Sequence, residues 1–243
     1  MTKILELKGI NKTLAKKQVL FDVHLEVNEG EVYGFLGPNG AGKTTTMKCI
    51  MGLIKPESGE INILGEKSLN IKAKKEVGFM PENTYLYKHL TGREFLRFNG
   101  NFFDLKKDQL ESRIDELLEK VGLSQAGDKY LSSYSKGMLQ RVGLAQSIIN
   151  KPKLLFLDEP MSGLDPIGRK MVKDLLIDLK KDGTTIFFNT HILADVESIC
   201  DKISIINSGK IIVSNKLVSE IGKSLEEFFV EEVMKDTPNL KVN

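Results

Sequence analysis

Cysteine, net charge and long apolar runs are all scarce in this 243-residue chain. Its two cysteines, Cys49 and Cys200, lie far apart with no C-x-x-C pair or Cys/His cluster near them. That spacing argues against a metal centre or a disulfide framework and fits a reducing cytosol, so buried structural thiols are expected. Thirty-five Lys and Arg against 33 Asp and Glu leave a formal charge of +2. Bulk charge therefore gives no ground for binding nucleic acid or an acidic membrane surface. No apolar run approaches the roughly 18 to 20 residues that a membrane-spanning helix needs, and residues 1–9 lack the apolar core of a signal peptide. The expectation is a cytoplasmic chain; if it works at a membrane, another polypeptide supplies the spanning part. Neither internal repeats nor low-complexity segments occur, and the length suffices for a substantial core.

What is present centres on Gly37, Pro38, Asn39, Gly40, Ala41, Gly42, Lys43, Thr44 and Thr45. This run follows an apolar stretch at Val32–Leu36 and precedes a helical pattern over residues 45–53. The G-x-x-x-x-G-K-[ST] spacing between a strand and a helix is that of a phosphate cradle. Its glycines let the backbone turn tightly and aim N–H groups inward at a helix start whose dipole favours anions. Lys43 can reach terminal phosphates, and the Thr44 hydroxyl can ligate Mg²⁺.

Residues 4–10 and 19–27 read as strands before this cradle, with His24 as a partly exposed strand histidine. Residues 60–64 and 76–80 read as strands after it, the second ending at Pro81, Glu82 and Asn83. The texture then changes. Residues 91–103 and 106–121 carry apolar residues at helical spacing, with Thr91 and Glu94 as a capping box. We read residues 84–134 as a helical lobe inserted into a nucleotide-binding core formed by residues 1–83 and 135–214. A helix over 138–149 places its apolar residues on one side and Gln140, Arg141 and Gln146 elsewhere. Core strands resume at 154–157 and 184–189, and 201–206 pairs with 210–213 around Ser208 and Gly209. Residues 215–243 form a short C-terminal extension, helical over 215–234 and then polar, as frayed ends are.

Asp158 and Glu159 close the apolar run at 154–157, where successive strand side chains diverge. Asp158 is suited to hold Mg²⁺, and Glu159 to face a terminal phosphate and polarise an attacking water.

With these residues in order, the chain resembles the ATP-binding subunit of an ABC transporter over nearly its whole length. Residues 37–45 match the family's Walker A motif and 154–159 its Walker B motif. Tyr134, Ser135, Lys136, Gly137 and Met138, followed by Gln140 and Arg141, stand at the signature motif. Ser162, Gly163, Leu164 and Asp165 match the D-loop, and His191 the switch histidine. The resemblance implies one α/β ABC-type ATPase domain over 1–243: a P-loop NTPase core with a mixed sheet, an antiparallel β subdomain and the inserted helical lobe.

It further implies a head-to-tail dimer with a second ATP-binding subunit, an identical copy in the simplest case. Each Mg-ATP would lie between one P-loop and the partner's Ser135 and Gly137, with Glu159 and His191 catalytic and Asp165 reporting across the interface. A separate transmembrane permease would dock near residues 82–87 and the lobe, holding the chain at the inner face of the membrane. Three departures from the family pattern stand out. Glu82 replaces the usual glutamine that links Mg²⁺ to the permease, Lys136 and Met138 alter the signature, and Leu14 stands where an aromatic commonly stacks on adenine. We expect Lys136 either to be solvated or to add a cation to the partner's nucleotide. The signature, Pro81-Glu82-Asn83 and the short extension resemble exporter-type subunits, so export is expected. Two other readings exist. A regulatory subunit that binds ATP without turnover is opposed by Glu159 and His191, and a DNA- or ribosome-acting relative by the absence of a long coiled coil, a second cassette or a basic stripe.

Overall fold

The computed structural model describes residues 2–67, 70–82 and 86–236. In chain order these hold β1 (Lys3–Leu14), β2 (Lys17–Asn28), β3 (Val32–Leu36), α1 (Lys43–Ile50), β4 (Ser58–Ile63), β5 (Glu66–Lys67), α2 (Ile71–Lys75) and β6 (Val77–Met80). Next come α3 (Gly92–Gly100), α4 (Lys107–Lys120), α5 (Lys136–Ser147), β7 (Leu154–Asp158) and α6 (Pro166–Lys181). The chain then runs through β8 (Thr185–Asn189), α7 (Leu193–Ile199), β9 (Lys202–Asn207), β10 (Lys210–Leu217) and α8 (Leu225–Asp236). Two compact units emerge, one from the chain up to Ala73 together with Thr185 onward, the other from Lys74–Thr184.

The first unit holds an antiparallel sheet in the order β2-β1-β4-β5. Leu5, Leu7 and Ile10 of β1 and Leu20, Val23, Leu25 and Val27 of β2 supply its buried face. The same unit contains β3 paired in parallel with both β8 and β9, and β10 antiparallel to β9. Every residue of β3 and β8 is buried, which is why both read as unbroken apolar runs. Tyr33 and Phe187 stack in this core, and the Tyr33 hydroxyl lies 2.6 Å from Ser204 Oγ and 2.7 Å from Asn215 Oδ1.

In the second unit β6 runs parallel to β7, from Val77 opposite Leu154 to Met80 opposite Leu157. A Cβ on Gly78 would stand 2.0 Å from the Ser147 carbonyl oxygen, so α5 ends directly over β6. The Thr91 capping box forms at α3, with Glu94 N–H donating to Thr91 Oγ1 at 3.1 Å and Thr91 N–H to Glu94 Oε2 at 2.8 Å. Leu110, Ile114, Leu117 and Leu118 make the buried stripe of α4. Arg141 of α5 donates to the Val121 and Gly122 carbonyls at 2.7 and 3.2 Å, satisfying acceptors at the end of α4.

The structure corrects several boundaries. The cradle helix begins at Lys43 rather than residue 45 and ends at Ile50, because Gly42, with φ 114°, is its N-cap. The signature helix begins at Lys136 rather than 138, because Ser135 caps it. Gln140 is buried instead of lying away from the packed side. Residues 215–217 continue β10 by pairing with β9 and are not helical; the tail helix starts at Leu225. Elements α2, β5, α6 and α7 were not anticipated. No disulfide joins Cys49 to Cys200, both thiols are buried, and His24 is exposed beside Asp22 at 3.0 Å. The polar residues expected to fray, from 237 onward, lie outside the described residues.

Candidate nucleotide site

The cradle leaves β3 at Leu36, and its first glycine is fixed by close approach. A Cβ on Gly37 would stand 2.3 Å from the Ile206 carbonyl oxygen of β9. Gly42 is constrained twice, by φ 114° and by Leu20 Cδ2 at 2.8 Å from its would-be Cβ. Ala41 N–H donates to the Pro38 carbonyl at 3.1 Å, and the Ala41 carbonyl accepts from Gly209 N–H at 2.9 Å. Asn39 and Gly40 are exposed, and a Cβ on Gly40 meets nothing within 4 Å. One side of the loop is thus braced by β2, β9 and the β9–β10 turn while the other stays open.

Lys43 is buried, and its Nζ donates to the Gly37 carbonyl at 2.6 Å and the Pro38 carbonyl at 3.1 Å. The ammonium therefore spans the inside of the loop. Because Gly42 offers no capping side chain, the amides of Thr44 and Thr45 have no intrahelical acceptor and add to the dipole at the start of α1. These donors, with an ammonium among them, fit a polyphosphate.

His191 follows β8 after one intervening residue, Thr190. Phe35 of β3 lies opposite Asn189 of β8, so Gly37 and His191 each leave their strand two residues beyond a matched pair at one sheet edge. The His191 side chain is exposed, and Thr190 Oγ1 accepts from Ile192 N–H at 3.1 Å in the turn around it. Leu14, 40% exposed, ends β1 opposite Lys17 across a turn in which Ala15 and Lys16 both have positive φ.

The remaining residues singled out from sequence belong to the second unit. Asp158 is buried at the end of β7, and Glu159 follows with φ 53°, a left-handed conformation uncommon for a residue with a side chain. The Glu159 carbonyl accepts from Gln140 Nε2 at 2.9 Å and from Ser162 N–H at 3.1 Å. Ser135 Oγ accepts from Met138 N–H at 3.3 Å, which leaves its hydroxyl proton available to donate. Asp165 Oδ1 accepts from Gly168 N–H at 2.7 Å as the N-cap of α6. Ser135, Lys136, Gly137, Gly163, Leu164 and Asp165 line a cavity of about 420 Å³. Glu82 is exposed just beyond β6; Asn83 and the rest of 83–85, within the stretch expected to meet the permease, lie outside the described residues.

Thr44 belongs to the first unit, Asp158 and Glu82 to the second. Among the described residues no group of three or more His, Cys, Asp or Glu is arranged to hold a metal. The Thr44 hydroxyl and the Asp158 and Glu82 carboxylates are each hard oxygen donors, the type that Mg²⁺ takes.

The family model for ABC transporters matches residues 20–162. The chain belongs to the ABC transporter family. That family comprises ATP-binding domains that hydrolyse ATP, and the cradle and the buried strand-end Asp158 fall within the match. Among its relatives is an uncharacterized ABC transporter ATP-binding protein of Synechocystis, 48% identical over 85% of this chain and 59% of that protein. The bacitracin transport ATP-binding protein BcrA of Bacillus licheniformis is 40% identical over 87% of this chain and 69% of its own length. A solved ATP-binding subunit of an ABC transporter superposes with a TM-score of 0.87 at 32% identity, covering 94% of this chain and 99% of that one. The chain spans about three fifths of the first curated relatives it matches. Its fold is the P-loop ATPase fold of ABC proteins, with a mixed sheet, an antiparallel sheet and helices.

For two residues named in the sequence the structure adds a role that the sequence reading did not assign. Gly209, read only as a turn residue, supports the cradle through Ala41. Gln140, read as lying away from the apolar side of its helix, is buried and reaches the Glu159 carbonyl from α5.

Proposed function

We propose that this chain binds and hydrolyses ATP as the motor subunit of an ABC transporter. The observation that carries this reading is the cradle itself, held open by Gly37 and Gly42 and crossed by the Lys43 ammonium. On binding, Lys43 exchanges the Gly37 and Pro38 carbonyls for terminal phosphate oxygens, while the cradle amides orient the chain of phosphates. Thr44 and Asp158, with Glu82, would hold Mg²⁺, which supplies charge neutralisation at the phosphates. Glu159 accepts a proton from the attacking water, and His191 donates to the terminal phosphate. Leu14 packs on the base.

Two such chains close head to tail, each placing Ser135 and Gly137 against the nucleotide of the other. Gly137 suits this role because its would-be Cβ makes only ordinary contacts among the described residues of its own chain, with Leu164 Cδ2 at 3.4 Å and the Gly163 carbonyl oxygen at 4.0 Å, both neighbours within the cavity wall. The helical lobe, residues 84–134, takes the permease near residues 82–87. Its support is an aromatic strip in which Tyr87 meets Phe98 at 5.4 Å, Phe98 meets Phe102 at 5.4 Å, and all three are exposed. No helix among the described residues is long and apolar enough to cross a membrane, in keeping with a separate spanning partner. Export, from a position at the inner face of the membrane, is supported by the exporter-like signature and the similarity to a bacitracin transport protein.

Hydrolysis of Mg-ATP by the purified chain, beside Glu159→Gln, tests the reading. Loss of a general base lowers kcat by about 100-fold or more, and the variant should accumulate an ATP-dependent dimer on size-exclusion chromatography. Equal hydrolysis by both proteins would remove Glu159 from the chemistry. Failure of either to bind ATP would sink the proposal.

A further inference from the structure

The helix that carries the signature residues also holds the backbone of Glu159. Gln140 lies on α5, one and a half turns beyond its N-cap Ser135, and is only 7% exposed. A buried amide needs a partner, and Gln140 Nε2 finds it in the Glu159 carbonyl at 2.9 Å. Ser162 N–H donates to the same oxygen at 3.1 Å, so both lone pairs of that carbonyl are engaged. With φ at 53°, Glu159 is in a conformation that side-chain-bearing residues leave readily unless the surroundings hold them. Rotation about the Glu159 N–Cα bond out of the left-handed region would carry the carbonyl away from both donors and redirect the carboxylate with it.

We propose that Gln140 is a positioning residue that holds Glu159 in this left-handed conformation. It thereby ties the aim of the carboxylate to the placement of the α5 helix that bears Ser135 and Gly137. Any displacement of the first turn of α5 by a second copy reaches the Glu159 carbonyl through one rigid helix and one hydrogen bond. The inference rests on the proposed role of Glu159. It concerns how the general base is oriented, since Gln140 itself touches no substrate.

Gln140→Glu keeps the shape and removes the donor; Gln140→Met removes hydrogen bonding altogether. Both should lower kcat by about 10- to 100-fold, the usual penalty for a misaimed group, with KM and ATP affinity changed by less than about twofold. Both substitutions are also placed in the Glu159→Gln background. With the base gone its aim no longer matters, so neither should lower the residual rate further. Unfolding midpoints of the four proteins separate this effect from loss of fold. An unchanged kcat in both single variants, alongside an inactive Glu159→Gln, overturns the inference and leaves the motor reading intact. Equal losses in the two backgrounds, or lost ATP affinity, also overturn it, because Gln140 would then be supporting structure in general. Wild-type turnover by Glu159→Gln overturns the motor reading, and this inference with it.

Discussion

The side chain of Lys136 lies over Gly163, such that a Cβ on the glycine would stand 2.7 Å from Lys136 Cε and 3.1 Å from its Nζ. The altered signature residue thus packs its stem on a glycine of the D-loop of the same chain, while the residue as a whole stays exposed. Gly163 also has φ 73°. Gly163→Ala therefore meets two penalties, a strained backbone worth about 1–2 kcal/mol and displacement of Lys136. Adding Lys136→Ala should recover only the second. Denaturant unfolding of the two single variants and the double variant measures the coupling, and strict additivity would show that the two residues do not touch.

Glu31 joins the β2–β3 turn to β9. Its carboxylate accepts from Asn28 N–H at 3.0 Å, Asn28 Nδ2 at 2.9 Å and Lys202 Nζ at 2.5 Å. Burial pushes this carboxyl up, but the Asn28 and Lys202 hydrogen bonds outweigh it and hold it below its ordinary value of 4.5. The folded state consequently binds fewer protons here than the unfolded chain. The stabilisation is fully present above the ordinary value and is lost as pH falls below it. Glu31→Gln should cost on the order of 1 kcal/mol at neutral pH, after allowance for solvent screening. It should also flatten the acid limb of the stability curve, and an unchanged limb between about pH 5 and pH 3 would contradict the assignment.

The legible parts of this chain were those in which local chemistry and tertiary role coincide. The cradle glycines, the Thr91–Glu94 box and the buried run of β7 each state their purpose within a few residues. Helix α6 was equally readable, with Asp165 as N-cap, Pro166 at the first helical position and Val172, Leu175, Leu176 and Leu179 buried along one stripe. Its start coincides with the D-loop, since Asp165 is both the last residue of that motif and the helix N-cap. The starts of α1 and α5 were misjudged for a like reason. In both, the residue named for chemistry, Lys43 or Ser135, is also part of the helix terminus, so the functional motif and the first turn overlap. The positive φ of Glu159 and the reach of Gln140 depend on how the loop after β7 meets α5, and no periodicity encodes that.

The β1–β2 turn carries avoidable strain. Ala15 and Lys16, with φ 46° and 66°, form a two-residue hairpin turn of the kind that favours Asn-Gly, yet neither residue prefers the left-handed region. Replacing Ala15 by Asn together with Lys16→Gly should stabilise the chain by about 1 kcal/mol, read as a higher midpoint in thermal unfolding. No change, or a loss, would mean that the turn relaxes out of this conformation in solution.

Leu14 ends the strand that enters that turn, which lets stability and nucleotide recognition be separated. An aliphatic side chain packs on a purine without aromatic stacking, so discrimination between bases is weak and GTP should compete with ATP to within about tenfold. Leu14→Tyr supplies a ring and should tighten ATP binding by about 0.5–1.5 kcal/mol, measured by displacement of a fluorescent nucleotide. The turn variant serves as the control, since it changes hairpin stability without altering residue 14 and should leave affinity where it was. A tighter complex in Leu14→Tyr alone places the end of β1 against the base. Equal affinities in all three proteins would move the base elsewhere, and a several-hundred-fold preference of the wild type for ATP would require a base-reading contact that Leu14 cannot make.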